Sequence, residues 1–330
     1  MSSLTSVLYC PVQLLNLTRT TTLSAPGYHG LLCLGNKEFE NMTVSNNYIN
    51  GVGITRQWST FGIFHQGSLN VRINNNEVTR TSGGGMNIIA ESFARGDRAE
   101  DDFVINVEYN YVHDYGAGIT NDFGGLKTGS KGYKCQEAAD DRTYLAQHCF
   151  THIRLYNNLV RDSWAFHCCD SALYSDAASS KNTFENNLIY GASSGALTFN
   201  CGLENEAKNN YVHREASPAS GRQPFGQLWG GCNKKGVNSY TNHHNIYYFD
   251  NTDNLTLFSN WMRFDEETVF HSNLYYSQEQ TDQEKPMFPP GHIPFAQLSS
   301  SGNVNNKWED PDFASTASND YTLAENSPAR

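Results

Sequence analysis

Eight short segments of this chain repeat one pattern, an Asn followed by any residue and then an apolar one. They begin at Asn47, Asn76, Asn110, Asn158, Asn187, Asn210, Asn245 and Asn273. Successive anchors are 29, 34, 48, 29, 23, 35 and 28 residues apart, too irregular for a helical repeat built from one rigid unit. A coil of short strands tolerates such irregularity, because strands and tight corners must superpose while extra residues leave as loops. Asn suits a corner, since its amide can bond turn backbone and the same residue one coil away, and it accepts left-handed geometry. The pattern therefore predicts an all-β chain, a right-handed parallel β-helix (solenoid) with Asn-ladder corners and loop insertions. An Asn-rich sandwich or propeller is the alternative, and the similar alternation after each Asn argues against it.

One domain over residues 1–330 is expected, with 131–150 as an inserted loop inside the longest step. Cys135 and Cys149 lie near the ends of that loop and could close it as a disulfide, although spacing alone leaves connectivity open. The adjacent Cys168 and Cys169 would point to opposite faces of a strand. None of the eight cysteines forms a paired C-x-x-C metal motif. Sequons at Asn16, Asn41 and Asn254 join the cysteines in pointing to a secreted glycoprotein, while no signal peptide is visible in the chain. No apolar run is long enough for a membrane span. The formal net charge of -11, with no basic cluster, argues against a nucleic-acid partner.

Each Asn corner leads through a small-residue turn to another short strand. Aligning these strands places Ile63, Met86, Ile119, Leu173 and Leu197 in one apolar, core-facing column. Alternation then sends Phe64, Asn87, Thr120, Tyr174 and Thr198 outward, with Gln66, Ile89, Asp122, Asp176 and Asn200 beyond them, and leaves a mixed inward column of His65, Ile88, Asn121, Ser175 and Phe199. On this register Asp122 and Asp176 sit on consecutive coils, about 4.8 Å apart. Two carboxylates so placed should split their pKa values, giving a protonated acid beside an ionised partner, as glycoside hydrolysis requires, and the short separation leans to retention. Solvation or cation binding is the bland reading of the same pair. Phe64 and Tyr174 could pack against a sugar face. Lys127, His167, Asp170 and Asn200 are further groove candidates for substrate binding. Arg161 and His113-Asp114 also lie nearby, while His113, His213 and His243-His244 sit at Asn corners, where a structural role is favoured.

Three segments carry a resemblance: Tyr109-Asn110-Tyr111-Val112-His113-Asp114 with 121–129, Leu173 to Ser180 with 184–190 and 194–196, and Asp310-Pro311-Asp312-Phe313 with 320–323 and 327–329. Over roughly residues 40–330 they resemble right-handed β-helix enzymes similar to glycoside hydrolase family 141. The resemblance implies hydrolysis of plant or algal glycans, catalytic aspartates at Asp122 and Asp176, and a longer parent protein; on the hydrolase reading no cofactor is expected. Thr198 to Gly202 departs from the family pattern, which often places histidines and an aromatic there. Two other functions remain open. A polysaccharide lyase or uronate epimerase on the same fold would hold Ca2+ through Asp122, Asp170 and Asp176, with Lys127 or Arg161 beside it. A non-catalytic coil would only bind polysaccharide or oligosaccharide.

Overall fold

In the computed structural model every element in the described order is a strand. The residues described are 8–10, 16–17, 22–23, 29–34, 41–54, 60–67, 70–91, 104–116, 123–131, 141, 143–144, 151–163, 171–191, 195–214, 240–249, 268–277, 286–288, 293–294, 304–315 and 320–330.

Three sheets of seven, nine and ten strands run along the molecule, and their members are parallel and mostly three strands apart in chain order. As far as the strand Gly195–Phe199 each turn of the chain thus adds one strand to each sheet, the arrangement of a parallel β-helix, and the described strands after it extend only the nine- and ten-stranded sheets. Two antiparallel pairs, Pro286–Phe288 with Ile293–Pro294 and Phe313–Ser315 with Asp320–Leu323, form separate small sheets that are not strands of these three.

Alternation along these short strands sends one column per sheet into a continuous core. The first sheet contributes Leu31, Ile63, Met86, Leu126, Leu173 and Leu197. The second contributes Val44, Ile73, Val107, Leu155 and Phe184, and the third Ile49, Val78, Val112, Val160 and Ile189. All are buried. Toward the C-terminal end the interior turns aromatic, with Phe184 stacked on Phe199 at 4.7 Å and Tyr247 on Tyr275 at 5.1 Å.

The Asn repeat is the corner between the second and third sheets. Each ladder Asn donates one amide hydrogen to the Oδ1 of the next, at 2.8–3.2 Å, from Asn47 through to Asn306. The same Oδ1 accepts the backbone N–H of the previous ladder Asn at 2.9–3.1 Å. From Asn76 onward the other amide hydrogen goes back to a carbonyl of the preceding coil, such as Val107 O for Asn158. Each interior rung therefore ties three coils and leaves no polar atom orphaned in a buried site. The left-handed residue is the one before the rung, whether Asn46, Tyr109, His244 or Ser272. That position tolerates many residue types, while the rung itself does not. Asn306 is a ninth rung beyond the eight read from the sequence.

The coil after Asn110 corrects the strand alignment. Its first-sheet strand is Gly124–Lys131, and Met86 and Leu173 both pair with Leu126 rather than Ile119. Lys127 replaces Thr120 in the outward column, Thr128 replaces Asn121 in the inward one, and Gly129, not Asp122, is the neighbour of Asp176. Two Gly-apolar pairs, Gly118-Ile119 and Gly125-Leu126, compete for this strand. A Cβ at Gly125 would meet Val160 Cγ1 at 2.5 Å, just as one at Gly85 would meet Val112 Cγ1 at 2.3 Å. The glycine is needed where the first sheet approaches the third.

Candidate functional site

The outer face of the first sheet brings Lys127, Tyr174, Asp176 and Asn200 together. Lys127 and Tyr174 are register partners on adjacent strands. Asp176 ends the strand Ser171–Asp176, and Asn200 follows the strand Gly195–Phe199, its backbone N–H donating to Ser175 O at 2.7 Å. Asp176 is the hub. Its Oδ2 lies 2.8 Å from Lys127 Nζ. Its Oδ1 accepts from Asn200 Nδ2 at 2.8 Å and from Tyr174 Oη at 3.1 Å. Lys127 Nζ also sits 4.7 Å from the centre of the Tyr174 ring, a cation-π contact that fixes the ammonium over the aromatic face.

Burial acts to raise the Asp176 pKa, but the Lys127 charge and hydrogen bonds from Lys127, Asn200 and the Ala177 backbone outweigh it, so the net shift is downward. Asp176 is therefore an ionised carboxylate with its lone pairs occupied. It can act as a nucleophile, as a base, or as the anchor of a structural knot, but it is a poor general acid. The column around it is well covered: Asn87, Lys127, Tyr174 and Thr198 are 8%, 9%, 6% and 4% exposed. Ser171, which pairs by hydroxyl with Thr198, extends the polar row.

Of the residues expected at the site, Lys127, Tyr174, Asp176 and Asn200 are brought together. Phe64 is not with them: it lies in the same outward column two coils earlier, half-buried, with its ring 4.9 Å from His29 and 6.3 Å from Phe61. Asp122, His167 and Asp170 lie outside the described residues, as do Cys135, Cys149, Cys168, Cys169 and nearly all of the 131–150 insertion. The corrected register removes the basis for a stacked Asp122–Asp176 pair about 4.8 Å apart and for the lean to retention drawn from it. Two of the three aspartates of the calcium alternative are likewise undescribed, and the third already holds a lysine.

Sequence reasoning named Lys127 and Asp176 separately but missed that they form an ion pair. The signal lay in the next coil, where 14 residues separate Asn158 from Ala172. Choosing Gly125 gives the preceding coil a nearly equal step of 15 from Asn110, and the register then follows. Ser171 was missed because small hydroxyl residues abound here.

Other candidates are structural or lie elsewhere. His113 sits on the outer face of the third sheet, 2.7 Å from Asp114 Oδ2 and 3.2 Å from Glu77 Oε1, with its ring stacked on Tyr111. Arg161 pairs with Asp162 and covers the Tyr190 ring. His213 bonds Tyr321 Oη at 3.0 Å where the C-terminal hairpin packs on that sheet. Cys201, next to Asn200, is disulfide-bonded. No helix among the described residues is long and apolar enough to cross a membrane.

No protein-family model and no curated protein sequence matches this chain.

Proposed function

We propose that the chain is a secreted, right-handed parallel β-helix that hydrolyses glycosidic bonds of a plant or algal type polysaccharide or oligosaccharide, with no cofactor. The observation that carries this reading is the ionised Asp176, held by Lys127, Tyr174 and Asn200 on the outward face of a parallel sheet. In this reading Asp176 is the nucleophile or base, and Asp122, whose coil supplies Lys127, is the acid. An acid and an ionised partner in different environments are what glycoside hydrolysis needs. The resemblance to glycoside hydrolase family 141 implies the same two aspartates as catalytic candidates, without dividing the roles between them. The disulfide at Cys201 and the exposed Asn41 sequon fit export and glycosylation.

The low exposure of the outward column favours a second reading, a non-catalytic carbohydrate-binding coil in which the Asp176 knot only holds neighbouring coils together. Turnover separates the two. Product release from a panel of neutral and acidic plant and algal glycans is measured for wild type, Asp122→Asn and Asp176→Asn, with folding checked by circular dichroism at the assay temperature. Hydrolysis by wild type, reduced at least ~1,000-fold in both folded variants, is the expected result. Binding without turnover by wild type would establish the second reading. An unsaturated product that requires calcium would instead identify a lyase.

A further inference from the structure

A cluster of imidazoles lies on the outer face of the second sheet, away from the first-sheet site. His243 ends the strand Tyr240–His243, His244 is the left-handed residue (φ 55°) before the Asn245 rung, and His271 is the register partner of His243 on the next coil. The corner does not require histidine at 244. Asn46, Asn75, Tyr109, Asn157, Asn186, Asn209, Ser272 and Asn305 fill the same position on other coils.

The polar geometry is specific. His243 Nε2 lies 2.9 Å from Glu206 Oε1, while Lys208 Nζ holds Glu206 Oε2 at 2.9 Å. Burial acts to raise the Glu206 pKa, but hydrogen bonds from His243 and Lys208 outweigh it and lower it, so Glu206 is an ionised acceptor. His243 must then carry its proton on Nε2, which in the neutral ring leaves the Nδ1 lone pair pointing outward. That Nδ1 faces His244 Nδ1 at 2.7 Å. The His271 ring lies flat against His243 at 4.8 Å and edge-on to His244 at 5.8 Å.

We propose that His243 and His244 chelate a late first-row divalent metal ion, Cu2+ most tightly, and that His271 completes the site. Two imidazole nitrogens bound at about 2.0–2.1 Å lie about 2.9–3.3 Å apart on the metal, so the pair needs to open by only a few tenths of an ångström while the metal replaces the shared proton. The Glu206 carboxylate already orients His243 as an outer partner does at imidazole metal sites. Imidazole donors and the order of divalent affinities select copper over zinc. Among the described residues no three His, Cys, Asp or Glu side chains are already grouped to hold a metal. His271 must therefore turn about its side-chain torsions to bind, which makes its contribution smaller than those of the first two.

The test titrates Cu2+, and separately Zn2+, into the full chain at pH 7.5 in competition with a chelator of known affinity, and records the Cu2+ electron paramagnetic resonance spectrum. One tight equivalent with nitrogen hyperfine structure is expected. His243→Asn and His244→Asn should each remove it, and Glu206→Gln should weaken it by about 10–100-fold. His271→Asn should weaken it less than either removal. Asn is the common residue at the position of His244, so that variant keeps the fold, and circular dichroism confirms it. No tight equivalent in wild type, or Cu2+ binding unchanged in folded His244→Asn, would overturn the proposal.

Discussion

The corner between the second and third sheets and the outer face of the first sheet are both polar and largely covered, yet they are built on opposite logics. At the corner one residue type is repeated through nine rungs, and each interior Asn satisfies the coils before and after it. On the face, three different side chains from three coils converge once, on Asp176. The corner is redundant in design but intolerant at every rung. The face tolerates change at most positions and concentrates its electrostatics at one. Repetition marks architecture, and departure from it marks a candidate site.

The largest effect that would sharpen this contrast is at a middle rung. Asn158→Ala removes the acceptor for the Asn110 backbone N–H and amide and the donor to Val107 O and Asn187 Oδ1. With about 1–3 kcal/mol lost for each orphaned buried group, a destabilisation of roughly 3–5 kcal/mol is expected in urea unfolding. A cost below about 1 kcal/mol would break the contrast, since the ladder would then be decoration.

Next comes the knot. Asp176→Asn removes the carboxylate charge 2.8 Å from the covered Lys127 ammonium and should cost about 2–4 kcal/mol, while adding Lys127→Met should return at least about 1 kcal/mol of it. Additive costs in this double-mutant cycle would mean that the two charges do not interact.

A smaller, pH-dependent effect follows from the lowered Asp176 pKa. The stabilisation it gives is fully present above the unfolded carboxyl pKa of about 3.9 and is lost as the pH falls through the lower folded value. The melting-temperature advantage of wild type over Asp176→Asn should therefore narrow below about pH 4 and stay level above about pH 5. A gap independent of pH down to about 2 would contradict the ion pair.

The smallest effect is at the left-handed corner position. Tyr109 has φ 54° and is 55% exposed. Tyr109→Asn should be neutral or stabilise by about 0.5 kcal/mol, because Asn enters this conformation more readily. A clear loss would show that the ring contact with Tyr156 at 6.3 Å matters more than backbone preference.

These sites also show why the sequence was readable in one place and not the other. A rung must be Asn because its side chain accepts from the coil before it and donates both back to that coil and on to the next, so the requirement is written as identity. Asn306-Lys307-Trp308 obeys the rule too, but a charged residue hides it in a column otherwise apolar or aromatic near the end of the stack. Core columns were legible through alternation, since burial demands apolar character and little else. Register across the Asn110 coil was not, because Gly118-Ile119 and Gly125-Leu126 satisfy the same local demand. Packing of the glycine against Val160 and Tyr115 distinguishes them, and in the sequence only the matching step from the Asn corner to the strand on the next coil does so. The wrong choice created the apparent Asp122–Asp176 stack, and the right one revealed Lys127 beside Asp176.

That ion pair can be read directly from the carboxyl carbon of Asp176, followed by 13C NMR from pH 2 to 7 in wild type and in Lys127→Met. The account predicts a wild-type midpoint below the ordinary value of about 3.9 and a higher midpoint in the variant. A wild-type midpoint at or above that value, or one that Lys127→Met leaves unchanged, would contradict it.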